Sequence, residues 1–274
     1  MNSKGVTVKM GNLLESLLRI ENETLNACKT MDQIAKSISL FDGTKLNNKL
    51  KDAIFEKNGF NYSKSYSSFF DFLKFKQGDC VNFSLLYHFL LETLGVKSDI
   101  IAVPSHTIVK IKEKRREYLV ETTDGSIEKS EFYITDRRIH PVSVNNGVYL
   151  SALNENQVLA IYLNRKVRGF TNNKEDYLIL KGAYNYSEDI PEVCYNLGRM
   201  YNKIGNFKEA KKLFERAIGL HPNFVQAYNG LGICCIREGS FEIAKAHFKK
   251  SLSLGHSKPA KLNLDKLLKE QYLT

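Results

Sequence analysis

The C-terminal third of this 274-residue chain repeats itself with a period of 34 residues. The residues that recur one period later are Leu197, Gly198, Gly205, Phe207, Ala210, Phe214 and Leu220. A period of this length is typical of two helices per repeat, and small residues at fixed positions let the helices approach closely. Because one such unit can bury its apolar face only against a neighbour, the sequence predicts a stacked helical array.

These repeats resemble the tetratricopeptide repeat (TPR). The residues on that family's consensus positions are Leu197, Gly198, Tyr201, Ala210, Phe214, Ala217 and Pro222, and the second copy keeps Tyr228, Leu231, Gly232, Ala244 and Phe248. Cys235 and Ser251 depart from the pattern. We expect an all-α TPR region at 153–274, with a degenerate repeat at 157–190, repeats at 191–224 and 225–258, and a capping helix at 259–271. The resemblance implies a protein or peptide partner on the concave face.

The N-terminal part of the chain has a different pattern. Helical periodicity predicts a helical segment at 1–49, and a second domain follows at 50–152. Residues 81–94 are apolar nearly all round, which indicates a buried helix opened by Gly78 and Asp79 and closed at Gly95. Three β-branched runs come next, at 99–103, 107–111 and 118–122. Helices followed by an antiparallel sheet predict an α+β domain.

Cys80 has the setting of a nucleophile. It begins the buried helix, where free backbone N–H groups and the helix dipole stabilise a thiolate. The alternative is a small core residue at a helix start, which is the commoner role of an isolated cysteine. The surroundings of Cys80 therefore decide between the two interpretations.

A catalytic cysteine needs a base and an orienting acid. His88 lies on the same helix about 12 Å from Cys80, so it is out of reach. His106 begins a strand that can lie against the helix start. A hairpin centred between Glu113 and Lys114 pairs residues whose numbers sum to 227, which places Glu121 opposite His106. Asp124 has the opposite parity and is kept as the alternative acid.

Three stretches together resemble the core of the transglutaminase-like superfamily: Gly78-Asp79-Cys80, then Pro104-Ser105-His106, then residues 118–125. Residues 55–60 are similar to the segment that precedes this core in bacterial relatives with C-terminal TPRs. The resemblance implies a papain-like arrangement in which Cys80, His106 and Glu121 are catalytic, with Glu121 where the superfamily more often has Asp. Gln77 is the nearest candidate for a side-chain oxyanion donor.

Composition and charge limit the remaining possibilities. The five cysteines form no C-x-x-C pair, so we expect no disulfide framework, no metal and no cofactor. No membrane segment is predicted, and we expect a cytoplasmic protein. Residues 191–274 carry 14 Lys and Arg against 7 Asp and Glu, which favours an acidic partner. Nucleic acid is not expected, because the basic run Lys114-Arg115-Arg116 has no interleaved aromatic residues.

Two functions from different classes follow. In the first, the chain is a thiol-dependent acyl-transfer enzyme, an amide or peptide hydrolase, deamidase or transglutaminase, whose repeats select the partner or substrate. In the second, the chain is a non-catalytic TPR adaptor that mediates protein–protein interaction. The intact set of Cys80, His106 and Glu121 favours the enzyme.

Overall fold

The computed structural model describes residues 12–21, 26–38, 45–64, 68–113, 116–167 and 174–271. The chain divides into two compact units. Residues Met1–Arg137 and Tyr149–Leu159 form the sheet unit, and residues Arg138–Val148 and Ala160–Thr274 form the repeat unit. The division is not a single cut along the sequence. No helix in the described ranges is long and apolar enough to cross a bilayer.

Helices form the first part of the sheet unit. They are α1 (Asn12–Glu21), α2 (Asn26–Lys36), α3 (Leu46–Lys51), which continues as a π-helical turn (Asp52–Lys57), and α4 (Phe69–Phe75). Two short strands, β1 (Asn61–Tyr62) before α4 in the sequence and β2 (Gln77–Gly78) after it, pair with each other in parallel. The break that the sequence indicates near Asp42 and Gly43 lies outside the described residues.

The central element of the sheet unit is α5 (Cys80–Thr93). Ten of its fourteen residues are buried, which explains its apolar sequence on all sides. It packs against an antiparallel sheet of strand order β3-β4-β5-β6, whose strands are β3 (Lys97–Val103), β4 (His106–Glu113), β5 (Arg116–Glu121) and β6 (Ser126–Glu128). Helix α6 (Ser130–Asp136) follows. The predicted α+β pattern is thus a small sheet in a chain that is mostly helical.

The β4–β5 hairpin differs from the predicted register. Val109 pairs with Val120 and Glu113 with Arg116, so the numbers of paired residues sum to 229 and not to 227. The predicted register is therefore wrong by two residues. A shift of two keeps each side chain on its original face of the sheet. His106 and Glu121 consequently become diagonal neighbours on one face, within reach of long side chains.

All regular secondary structure among the described residues of the repeat unit is helical. Its helices are α7 (Pro141–Asn145), the larger part of α8 (Glu155–Lys166), α9 (Lys174–Tyr186), α10 (Pro191–Lys203), α11 (Phe207–Leu220), α12 (Val225–Arg237), α13 (Phe241–Leu254) and α14 (Lys258–Gln271). From α9 to α14 each helix contacts the next, as in a stacked array. Gly205 ends α10 and Gly239 ends α12 with left-handed backbone angles, φ +84° and +75°.

Close helix approach explains the repeated small residues. The buried Phe214 ring lies against the backbone of both Gly198 and Gly230. A β-carbon at Gly230 would be 2.7 Å from Phe214 Cε2, which is too close for any side chain. Phe248 occupies the equivalent place beside Gly232 in the next repeat.

Candidate active site in the sheet unit

The start of α5 is fixed by a capping box. The carboxylate of buried Asp79 accepts hydrogen bonds from the backbone N–H groups of Val81 and Asn82, at 3.1 and 3.4 Å. Asn82 Oδ1 in turn accepts from the backbone N–H of Asp79 at 3.4 Å. Cys80 is therefore the first residue of a firmly capped helix. Its side chain is half-buried.

His106 and Glu121 are in direct contact. His106 Nε2 lies 2.7 Å from Glu121 Oε2, and the two side chains are 9% and 15% exposed. His106 begins β4 immediately after the turn at Pro104 and Ser105, and Glu121 ends β5. The diagonal placement across the two strands brings the imidazole and the carboxylate together despite the shifted register.

Cys80 contacts the same imidazole. Burial by itself would lower the pKa of His106, but hydrogen bonds to Cys80 and Glu121 and the charges of these two groups outweigh it and raise the pKa to about 9. Because Glu121 occupies Nε2, Nδ1 is the nitrogen left to face the thiol. The structure thus brings the three residues singled out from the sequence into one linked group.

Glu121 is held as an anion by several donors. Its Oε1 accepts from Thr123 Oγ1 at 2.7 Å and from the Thr123 backbone N–H at 3.3 Å. Its Oε2 accepts from the hydroxyl of buried Tyr133 at 3.4 Å as well as from His106. Burial would raise the pKa of Glu121, but the contacts with His106 and Thr123 lower it below its ordinary value. Sequence reasoning missed both Thr123 and Tyr133.

The other sequence candidates are engaged elsewhere. Asp124 is exposed and accepts from the backbone N–H of Ser126 at 2.7 Å, which makes it a turn residue. His88 Nδ1 lies 2.9 Å from Ser98 Oγ, and burial lowers its pKa. Gln77 is exposed on β2. Gly78 is needed because a β-carbon there would overlap Phe72, which gives it a packing role.

The described cysteines outside the candidate site are buried in the repeat unit. Burial raises the pKa of Cys194 and of Cys234 to about 12 and raises that of Cys235. The side chain of Cys28 lies outside what the structure describes. No group of three or more metal-ligating side chains occurs among the described residues. Lys114 and Arg115, the first two residues of the basic run, also lie outside the described residues.

Positive charge in the repeat unit is balanced in one place and unbalanced in another. On α11, Lys211 contacts Glu238 at 2.9 Å, and Arg216 contacts Asp189 at 3.1 Å. Helices α13 and α14 carry exposed lysines that make no ion pair with a described residue. These lysines are Lys249, Lys250, Lys258, Lys261, Lys266 and Lys269. Helices α13 and α14 thus present exposed positive charge without an ion-pair partner among the described residues.

Two family models, each described as Tetratricopeptide repeat, match residues 191–224 and 225–254. Residues 191–254 contain two tetratricopeptide repeats. TPRs support a role in protein–protein interaction. The family matches cover neither residues 157–190 nor the sheet unit, so the degenerate repeat and the transglutaminase-like resemblance both stay predictions.

Among the solved structures that are similar to the chain are two with different coverage. The first TPR of Spaghetti (RPAP3), solved bound to the HSP90 peptide SRMEEVD, is 19% identical and matches 42% of this chain and 95% of its own, with a TM-score of 0.38. Menin, whose crystal structure reveals the binding site for the Mixed Lineage Leukemia (MLL) protein, is 16% identical with a TM-score of 0.52. The match covers 89% of this chain and 60% of the menin chain. At this identity the likeness to menin concerns the fold.

Proposed function

We propose that the protein binds a protein or peptide partner through its TPRs and that its sheet unit carries a thiol site for acyl transfer. The two matched repeats at 191–254 support the binding role. The linked contacts of Cys80, His106 and Glu121 support the catalytic role. Without catalysis, the same chain is a TPR adaptor, and the experiments below separate the two.

The proposed chemistry begins with the proton on His106. This proton comes from the thiol of Cys80. Because the pKa of His106 is raised to about 9, the imidazolium retains the proton while Glu121 balances its charge. The thiolate of Cys80 attacks the carbonyl carbon of an amide, and the backbone N–H of Cys80 donates to the resulting oxyanion. His106 then gives its proton to the amine as the C–N bond breaks. The amine departs, and the acyl group remains on Cys80 as a thioester.

The second half of the reaction depends on the acceptor. Neutral His106 takes a proton from water or from an amine as that acceptor attacks the thioester carbonyl, and the thiolate of Cys80 leaves. Water gives hydrolysis or deamidation, and an amine gives a cross-link. Gln77 stays a candidate for a second oxyanion donor.

The catalytic proposal is tested by the reactivity of Cys80. We expect iodoacetamide at neutral pH to modify Cys80 well before Cys194 and Cys234, as measured by mass spectrometry of peptides. His106→Ala should slow modification of Cys80 only. The proposal fails if Cys80 in the folded protein reacts no faster than in the urea-unfolded chain.

Turnover is a separate readout. A panel of amide and thioester substrates should be cleaved by the native protein and not by Cys80→Ser. Rapid alkylation of Cys80 without turnover of any substrate in the panel would favour the adaptor.

The partner is proposed to be an acidic protein segment. The exposed lysines of α13 and α14, which make no ion pair with a described residue, support this choice. A fluorescent Glu-rich peptide serves as the probe, and its binding should weaken as salt is raised from 0.05 to about 0.2 M, because exposed charges are screened. Lys261→Glu should weaken binding more than Lys211→Glu, whose wild-type charge is already paired with Glu238. Equal effects, or stronger binding of single-stranded DNA than of the peptide, would contradict the proposal.

A further inference from the structure

Glu121 approaches His106 with only one of its two carboxylate oxygens. Oε2 contacts the imidazole at 2.7 Å, while Oε1 accepts from both the hydroxyl and the backbone N–H of Thr123. A glutamate has three side-chain torsions, and a short contact at one oxygen does not fix the orientation of the carboxylate plane. The Thr123 hydroxyl, at 2.7 Å, is as short a contact as the one to His106.

The loop between β5 and β6 places Thr123 for this contact. The backbone N–H of Gly125 donates to the carbonyl of Glu121 at 2.7 Å, which closes a tight turn over residues 121–125. Asn47 Nδ2 donates to the carbonyl of Gly125 at 2.8 Å and ties the turn to α3. Thr123 stands two residues from Glu121 in this turn, so its hydroxyl and its N–H both reach back to the carboxylate.

The neighbouring Thr122 has a different role. Its hydroxyl lies 3.2 Å from Ser84 Oγ, and Ser84 donates to Thr107 Oγ1 at 3.1 Å. All three hydroxyls are buried between α5 and the sheet. Thr122 thus supports packing, and the adjacent Thr123 contacts the acid. The pair offers a natural comparison.

We propose that Thr123 is a positioning residue, which holds the Glu121 carboxylate in the orientation that stabilises the imidazolium of His106. The biological meaning of this proposal rests on the proposed acyl-transfer function. The effect itself is on the protonation of His106, which can be measured without any substrate. Tyr133 contributes in the same direction through its longer 3.4 Å contact with Oε2. The other titratable groups around the pair are Cys80 and Tyr87 on α5, Asp124 in the loop and Glu128 on β6.

The test compares three variants of the full-length chain by NMR titration of the His106 imidazole. Thr123→Val keeps the shape and the backbone donor but loses the hydroxyl, and it should lower the pKa of His106 by about half a unit, less than removal of the Glu121 charge does. Thr123→Ser keeps the hydroxyl, so the pKa of His106 should equal that of the wild type. Thr122→Val should lower the melting temperature and leave the titration of His106 unchanged.

Tyr133→Phe provides an independent variant and should lower the pKa of His106 by less than Thr123→Val does. The proposal is overturned if Thr123→Val leaves the titration of His106 unchanged, or if Thr122→Val shifts it equally. The pH profile of Cys80 alkylation, measured on the same samples, should shift together with the titration. If His106 responds as expected and Cys80 is unreactive, the positioning role stands and the acyl-transfer function fails.

Discussion

Replacing Glu121 by Gln tests the electrostatic core of the site. The pKa of His106 is about 9 against an ordinary value of 6.5, a difference of about 2.5 units shared between Glu121 and Cys80. At 1.36 kcal/mol per unit, the full shift corresponds to about 3 kcal/mol of differential interaction. If Glu121 supplies about half, Glu121→Gln should lower the pKa of His106 by about 1 unit or slightly more and destabilise the native state by about 1.5–2 kcal/mol at pH 6.

The sign of the effect sets the pH at which it appears. A raised pKa in the folded state stabilises the protein fully below pH 6.5, and this stabilisation is lost as the pH rises through about 9. Urea unfolding at pH 6 should therefore separate Glu121→Gln from the wild type, and the gap should close by about pH 10. Asp124→Asn is the matched control and should leave the titration of His106 unchanged. A gap that persists undiminished at pH 10 would refute the ion-pair reasoning.

Two further predictions concern the repeat unit. Gly230→Ala should lower the free energy of unfolding by about 1–3 kcal/mol in urea, because its β-carbon would overlap the Phe214 ring. Gly219→Ala meets nothing within 4 Å and should be neutral or stabilising, so equal losses would contradict the packing argument. Burial, and to a lesser extent the charge of His140, lowers the pKa of His221 to about 4. Wild-type stability should fall as the pH drops from 6.5 to 4, and His221→Gln should flatten this dependence in urea titrations; an unchanged slope would exclude His221 as its source.

The parts of the fold that follow a strict period could be predicted from the sequence. The 34-residue repeat located α10 to α13, and the apolar run after Asp79 located α5. In both segments so many positions fit the helical pattern that helix was the one secondary structure they predicted. The two-residue strands β1 and β2 carry no such pattern, because a parallel pair of this length depends on contacts that the flanking sequence does not encode.

The site illustrates which errors sequence reasoning tolerates. The segment around Lys114 and Arg115 contains no Gly or Asn to fix the centre of the hairpin, so the predicted register was wrong by two residues. A shift of two residues leaves His106 and Glu121 on the same face of the sheet, so the predicted contact between them is still made. Thr123 is two residues from Glu121 and could have been suspected from local side-chain-to-backbone bonding. Tyr133 lies on a separate helix, and its contact with Glu121 arises only from the tertiary fold.

The path of the chain between its two units limits how such a protein can be rebuilt from parts. It leaves the sheet unit after Arg137, returns at Tyr149 and leaves again after Leu159. A graft that transfers only the C-terminal piece would leave residues 138–148 from a different parent protein. These residues include Ser143, whose hydroxyl donates to the carbonyl of Leu220 at 2.9 Å. Exchange of the repeats between relatives therefore requires two coordinated replacements, and a single recombination point would produce a chimera whose helical array lacks one of its own segments.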